Sequence, residues 1–401
     1  MLQWHYHAYE RSMIVARGKG TDTLMDGACT PIHEEVARRS ILHLLELREG
    51  LTPEDRARFD RLLRVDETVG ELVLPAHMTR WVERYFGSTE AVLRQKVVKV
   101  TNRWTLDATL FNELRARRPL GARIPAELAD ELAKTAPDPF CEPELNTPED
   151  IFGRVQGRYA LTASNIAKYD GLHGVIIFHE HDPLAFHEAL VLDVLEVAQE
   201  WLRRAHEYDQ EAVYPLFMWN CLWKSGASIP HGHAQISLTR GIHYGKVERE
   251  RQAAEHYRQA TGSSYFADWF ALHAALGLGR QIGQIQVMAS IVPLKEKEIV
   301  LYAPELNRDL GHMIYRTLRC LVDDLNVVSF NLVIWLPPLA ATGEDWSDFP
   351  VVVRVLDRGD PLSRTSDFGA MELYAASVVA SDPFRVADAL WPCLIETGMP
   401  I

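Results

Sequence analysis

The sequence predicts an α+β chain with a helical N-terminal extension ahead of two stretches of similar grammar. Three observations predict it. Residues 31 to about 100 carry apolar side chains at helical spacing. From residue 96 onward, short apolar strands flank one long amphipathic helix. After residue 245 the same alternation of helices and strands comes again.

The elements follow in chain order. Residues 32–47 space apolar side chains as a helix does, and Thr52-Pro53-Glu54-Asp55 opens a second helix with a cap, a first-turn proline and acidic residues. Phe59, Leu62, Leu63 and Val65 continue its apolar face. This region, taken as 1–100, holds no catalytic constellation and is expected to pack on the core or contact a partner subunit. Strand character begins at residues 96–101. Residues 120–150 are Pro-rich and acidic and read as a loop. Strands are expected at 159–165, 174–178, 214–220 and 235–238, with a long amphipathic helix at 184–206. In the remainder, helices are expected at 246–260, 264–276 and 306–325, and strands near 283–292, 298–302, 329–335 and 350–356.

Composition narrows the function. The 401 residues are 47% hydrophobic and 24% charged, ordinary for a globular protein of two or three domains. A net charge of −13 argues against general nucleic-acid binding, though a local basic pocket would suffice for a nucleotide. No apolar run reaches the roughly 18 residues that span a bilayer, so no membrane association is expected. The N-terminus lacks the regions of a signal peptide. Five scattered cysteines fit a reducing cytoplasm without a disulfide framework.

The most informative stretch is Asn220 to Gln235. His231, His233 and Gln235 stand at i, i+2 and i+4, which on a strand puts them on one face. A neutral imidazole is nucleophilic near pH 7. The Gly226 and Ser228 amides and hydroxyl, with the Gln235 amide, suit phosphate oxygens that gain charge in a transition state. Two histidines on a strand by chance is the plain alternative.

Asn220, Gly226-Ala227-Ser228 and Pro230-His231-Gly232-His233-Ala234-Gln235 resemble the signature of the galactose-1-phosphate uridylyltransferase family, a branch of the histidine-triad superfamily. Gly232 is the one departure, since the sugar transferases usually have Pro there. The resemblance implies duplicated histidine-triad-like halves, each a mainly antiparallel sheet with packed helices. They would span 101–245, carrying the catalytic histidines, and 246–401, without them. It implies that His233 becomes nucleotidylated, that Gln235 and Ser228 hold the α-phosphate, that Asn220 supports the site, and that His231 belongs to the same machinery. Arg115 and Arg118 match two arginines that face the nucleotide phosphates, and Asn165 matches a nucleoside-contacting Asn. Glu372 matches an acidic residue of the hexose pocket. Its expected Gln partner is Val378, which puts galactose in doubt.

The family's structural zinc implies ligands at Asp138, Cys141, His181 and His231, with Asp138 where the family has its first Cys. That donor set could still bind zinc tetrahedrally. A second metal in the C-terminal half is not expected, because residues 330–335 hold no His. The expected activity is ping-pong nucleotidyl transfer from a nucleotide-sugar, UDP-glucose first among them, to a sugar 1-phosphate. Gln235 cannot protonate a leaving group as the third His of the hydrolase branch can, so transfer to a phosphate is favoured over hydrolysis. A phosphorylase passing AMP from diadenosine tetraphosphate or an ADP-sugar to inorganic phosphate is the second reading. A non-catalytic nucleotide-binding relative is the third. Relatives are commonly dimers, so a homodimer is the partner expectation.

Overall fold

The described chain opens with a short helix, Leu44–Glu49, and Thr52 starts the next, Pro53–Leu62. Its Oγ1 accepts from the Asp55 amide at 3.1 Å, and Pro53 occupies the first turn. The computed structural model describes residues 39–116, 126–363 and 365–395. Arg118 and the helical stretch expected at 32–38 lie outside the described residues.

The expected helical extension is interrupted at Leu63 by a strand, and helices resume at Thr79–Phe86 and Thr89–Leu93. Leu63–Glu71 forms a strand, β1, paired antiparallel with β2 (Arg94–Asn102) from Leu63↔Asn102 to Glu71↔Arg94. Apolar and polar residues alternate over Leu63, Arg64, Val65 and Asp66, and Lys96 and Lys99 of β2 lie 3.0 and 3.4 Å from Glu67 and Asp66. Val65 therefore belongs to a strand and not to the helix face. β3 (Ala108–Asn112) follows beside β2. The region expected as a loop over 120–150 also carries helices at Ala126–Ala133 and Pro143–Asn146. Leu128 and Leu132, one helical turn apart, are buried in the core and fix the first of them.

The main sheet is built from β4 (Ala160–Ser164), β5 (Leu172–Phe178), β6 (Ala212–Cys221), β7 (His233–Arg240), β8 (Gly279–Ile282), β9 (Ile285–Ala289), β10 (Ile299–Ala303), β11 (Phe330–Trp335) and β12 (Val351–Asp357). Their order is β4-β5-β7-β6-β11-β12-β10-β9-β8, with every neighbouring pair antiparallel. Each half runs hairpin, helix, inner strand, then a strand inserted between. β4-β5, helix Glu188–Tyr208, β6 and β7 match β9-β10, helix Arg308–Arg319, β11 and β12. The halves meet at the β6–β11 seam, where Met218 faces Val333 and Asn220 faces Asn331. This is the duplicated α+β architecture that the resemblance implies. A short strand, β13 (Ser377–Val379), joins β3 in the smaller sheet, and helix Pro383–Ile395 closes the described chain.

Helix Glu188–Tyr208 buries Leu190, Val191, Val194, Ala198, Trp201 and Leu202. It contacts β4, β5, β6 and β7. Ala234, Ile236 and Leu238 of β7 join the same core. Pleating then sends His233, Gln235 and Ser237 to the opposite face. Helix packing on one face thus decides which face carries chemistry.

Candidate functional site

His231 precedes β7 and aims its Nδ1 at a small cluster. His181 Nδ1 lies 3.1 Å away, Cys141 Sγ 3.7 Å and Asp138 Oδ1 3.3 Å. Cys141 Sγ is also 3.5 Å from His181 Nδ1. These separations are the edges of a tetrahedron around a cation with bonds of about 2.0–2.3 Å, the lengths of zinc–nitrogen and zinc–sulfur bonds.

The partners behind the rings fix their tautomers. His231 Nε2–H donates to the Phe178 carbonyl at 2.8 Å. Thr135 Oγ1 already donates to Leu132 O, so the His181 Nε2–H donates to Thr135 Oγ1 at 3.1 Å. Both Nδ1 atoms therefore present lone pairs to each other at 3.1 Å. Asp138 Oδ1 caps the Pro139–Cys141 turn, while its Oδ2 is buried without a hydrogen-bond partner. Two facing lone pairs, a thiol and an orphaned carboxylate oxygen fit a divalent cation, with hydrogen-bonded outer partners already in place. The four residues expected as ligands are the four that converge.

The loop carrying Asp138 and Cys141 reaches the neighbouring histidine. Phe140, between Asp138 and Cys141, packs edge-on against His231 and against His233 at ring-centroid distances of 5.9 and 5.4 Å. His233 Nδ1–H donates to the His231 carbonyl at 2.8 Å, which leaves the Nε2 lone pair free. Burial lowers the His233 pKa, so the ring is neutral near pH 7.

Gln235 is oriented by a residue the sequence reading missed. The Tyr169 amide donates to His173 Nδ1 at 3.0 Å, which places the His173 proton on Nε2. That Nε2–H donates to Gln235 Oε1 at 3.0 Å, leaving the Gln235 NH2 to point elsewhere. Burial lowers the His173 pKa, and Tyr169 stacks on its ring at 4.3 Å. The available sequence signal was a histidine immediately before the apolar run 174–178, but nothing in the sequence paired it with β7.

His233 and Gln235 open into a cavity of about 270 Å3. Phe140, Pro148, Asn165, Ile166, Gly226 and Ser228 also line it. Gly226 sits at φ +99°, a conformation side chains resist, and it turns the loop so that Ser228 faces the cavity. The loop is held from the second half. Asn331 Nδ2 donates to the Ser225 carbonyl at 2.9 Å and to Asn220 Oδ1 at 2.6 Å, and Arg358 donates to Asn331 Oδ1. Asn220 thus sits beside the site but does not line its cavity. Arg115, on helix Glu113–Ala116, is not among the cavity's described lining residues. Neither is Glu372, whose Oε2 accepts from the Gly369 amide at 3.0 Å and caps helix Ala370–Tyr374.

Gly232 explains its own departure from the motif. Its N–H donates to the His181 carbonyl at 3.1 Å, a bond proline cannot make. A Cβ there would lie 2.7 Å from Phe178 Cδ2 and 3.0 Å from the Glu180 carbonyl oxygen.

No family model matches the chain, and no curated protein matches it. Solved structures do. A GalT-like protein from Arabidopsis thaliana is 17% identical, with 64% of this chain and 91% of that one covered and a TM-score of 0.53. An ADP-glucose phosphorylase from Arabidopsis thaliana with bound ADP-glucose is 18% identical, with 76% and 99% covered and a TM-score of 0.56. A uridylyltransferase is 16% identical, with 63% and 90% covered and a TM-score of 0.51. At these identities the likeness is one of fold. No helix among the described residues is long and apolar enough to cross a membrane.

Proposed function

We propose that the protein is a nucleotidyltransferase working through a covalent nucleotidyl-His233. The observation that carries this is the free Nε2 lone pair of a neutral, buried imidazole, opening into a cavity beside Gln235 and Ser228. His233 Nε2 attacks the α-phosphorus of a nucleotide donor. The phosphorus–oxygen bond to the leaving phosphate breaks, and its electron pair departs with that oxygen. The Gln235 NH2, fixed by His173, and the Ser228 hydroxyl steady the non-bridging oxygens, with Asn165 on the nucleoside side. An acceptor phosphate oxygen then attacks the same phosphorus, and the phosphorus–nitrogen bond breaks. Both phosphates act as anions, so no general acid is needed and Gln235 suffices where a third histidine would protonate.

Asp138, Cys141, His181 and His231 would hold a structural zinc. When bound it would fix the loop that seats Phe140 against His233, and it takes no part in the chemistry. The donor is a nucleotide-sugar, with UDP-glucose the first candidate. Transfer of AMP to inorganic phosphate is the second reading, favoured by the extent of the fold likeness to a structure holding ADP-glucose.

The test is intact-protein mass after incubation with UDP-glucose and, separately, ADP-glucose and diadenosine tetraphosphate. A gain of one UMP or one AMP, absent in a folded His233→Gly variant, is expected and identifies the nucleotide. No gain with any donor would overturn the proposal and leave nucleotide binding without transfer. An undiminished adduct in His233→Gly would remove His233 as the nucleophile.

A further inference from the structure

A second cavity, about 500 Å3, opens on the same face of the sheet one strand away from the first. Strand register fixes the relation. Met218 of β6 is the direct partner of Gln235, and Leu216 is the partner of Ser237. Across the seam, Val333 faces Met218 and Trp335 faces Leu216. Adjacent strands stand about 4.8 Å apart, so the cavity floor lies roughly 5–10 Å from His233. Tyr169 borders both cavities. A group seated in the second cavity can therefore present a phosphate to the atom that His233 attacks.

The lining has a distinct chemistry. Leu216, Met218, Leu294, Val333, Trp335 and Leu356 give it an apolar floor and wall. Asn220, Ser237, Glu298 and Asn331 also line it, but these polar side chains are already committed: Arg354 to Glu298 at 2.9 Å, Tyr244 Oη to Asp170 and Ser237, and Asn331 Nδ2 to Asn220 Oδ1 at 2.6 Å. Lys246, an exposed residue, also lines it. A bare hexose would leave its hydroxyls facing this apolar floor without partners, which is unfavourable. A planar apolar ring matches the floor, and a phosphate can meet Lys246 or reach toward His233.

We infer that this cavity is the acceptor subsite and that the acceptor is a phosphate carried on a planar, largely apolar group. The inference rests on the nucleotidyl-His233 reading. In the transfer, an acceptor phosphate oxygen bonds to the nucleotidyl phosphorus as the phosphorus–nitrogen bond breaks. The pair returns to His233 Nε2, the product is a phosphoanhydride, and no proton is needed. The position Gln235 holds on β7 is occupied by Arg354 on β12. The second half thus supplies the floor where the first supplies the nucleophile.

The experiment separates the two steps. The adduct is first formed, then discharged with equal concentrations of phenyl phosphate, glucose 1-phosphate or inorganic phosphate. Phenyl phosphate should discharge it roughly tenfold faster than glucose 1-phosphate, a contrast one pocket contact can supply. Discharged from pre-formed adduct, Val333→Glu should lose that advantage and still respond to inorganic phosphate. Glucose 1-phosphate matching phenyl phosphate, with Val333→Glu indifferent, would overturn the inference. Calorimetric titration of phenyl phosphate into the wild-type chain and Val333→Glu gives a readout without turnover. Binding lost in the variant is expected. No binding to the wild type overturns the subsite even if no adduct ever forms. Light scattering completes the test: a wild-type dimer that Val333→Glu converts to monomer would make a second copy the occupant and overturn the acceptor assignment.

Discussion

Replacing Gly232 by proline restores the residue that the sugar transferases usually carry, and here it should damage the protein. The Gly232 amide is donated to the His181 carbonyl, and losing it costs about 1 kcal/mol. The added Cβ meets Phe178 Cδ2 at 2.7 Å and the Glu180 carbonyl at 3.0 Å. Phe178 cannot swing away. It is buried and packs edge-on against Trp219 at 5.1 Å. Overpacking of this kind costs about 1–3 kcal/mol. Gly232→Pro is thus expected to lose about 2–4 kcal/mol, and Gly232→Ala, which keeps the amide, about 1–3 kcal/mol. Urea unfolding measures both. Proline also restricts the preceding residue, His231, so the variant should bind zinc more weakly in a competition with a chromogenic chelator. If both variants unfold within about 0.5 kcal/mol of the wild type, the Phe178 contact does not constrain the loop and the reasoning fails.

Three further outcomes follow. His173→Phe frees Gln235, and adduct formation should slow roughly tenfold or more while donor affinity holds; an unchanged rate would make the His173 contact incidental. Purified protein should carry about one zinc per chain by elemental analysis, and Cys141→Ala should weaken its retention by at least the ~10–100-fold that losing an outer partner costs. Burial holds the Glu250 carboxyl up at about 7 despite the nearby Arg354, so above its usual 4.5 the folded chain keeps a proton that the unfolded chain has released. Glu250 therefore burdens the fold increasingly as pH rises from 4.5 to about 7, and Glu250→Gln should gain on the wild type across that window by up to ~3 kcal/mol. A pH-independent difference between the two denaturation curves would contradict this.

The parts of the site visible in the sequence are those set by local periodicity. Alternation along 231–235 put His233 and Gln235 on one face, and the resemblance brought Asp138, Cys141, His181 and His231 into one set. What escaped depends on pairing between distant segments. β1 looked like a continuing helix because Leu63 and Val65 fit both periods, and only its partnership with β2 decides between them. His173 and Asn331 act through register with β7 and β6, which no local pattern encodes. Glu372 fits its motif but is used locally as a helix cap. The short helix Ala126–Ala133 forms where Leu128 and Leu132 find a core, in a stretch whose prolines suggested none.

The seam between β6 and β11 has a consequence for stoichiometry. Two identical subunits meeting along such a seam would each bring a histidine, and every substitution would strike both sides at once. Joined in one polypeptide, the two sides vary independently, and only the first carries His233, the nucleophile we propose. Labelling should therefore saturate at one nucleotidyl group per chain. Changes on β11 and β12 can then alter what the protein accepts without touching the bond it makes.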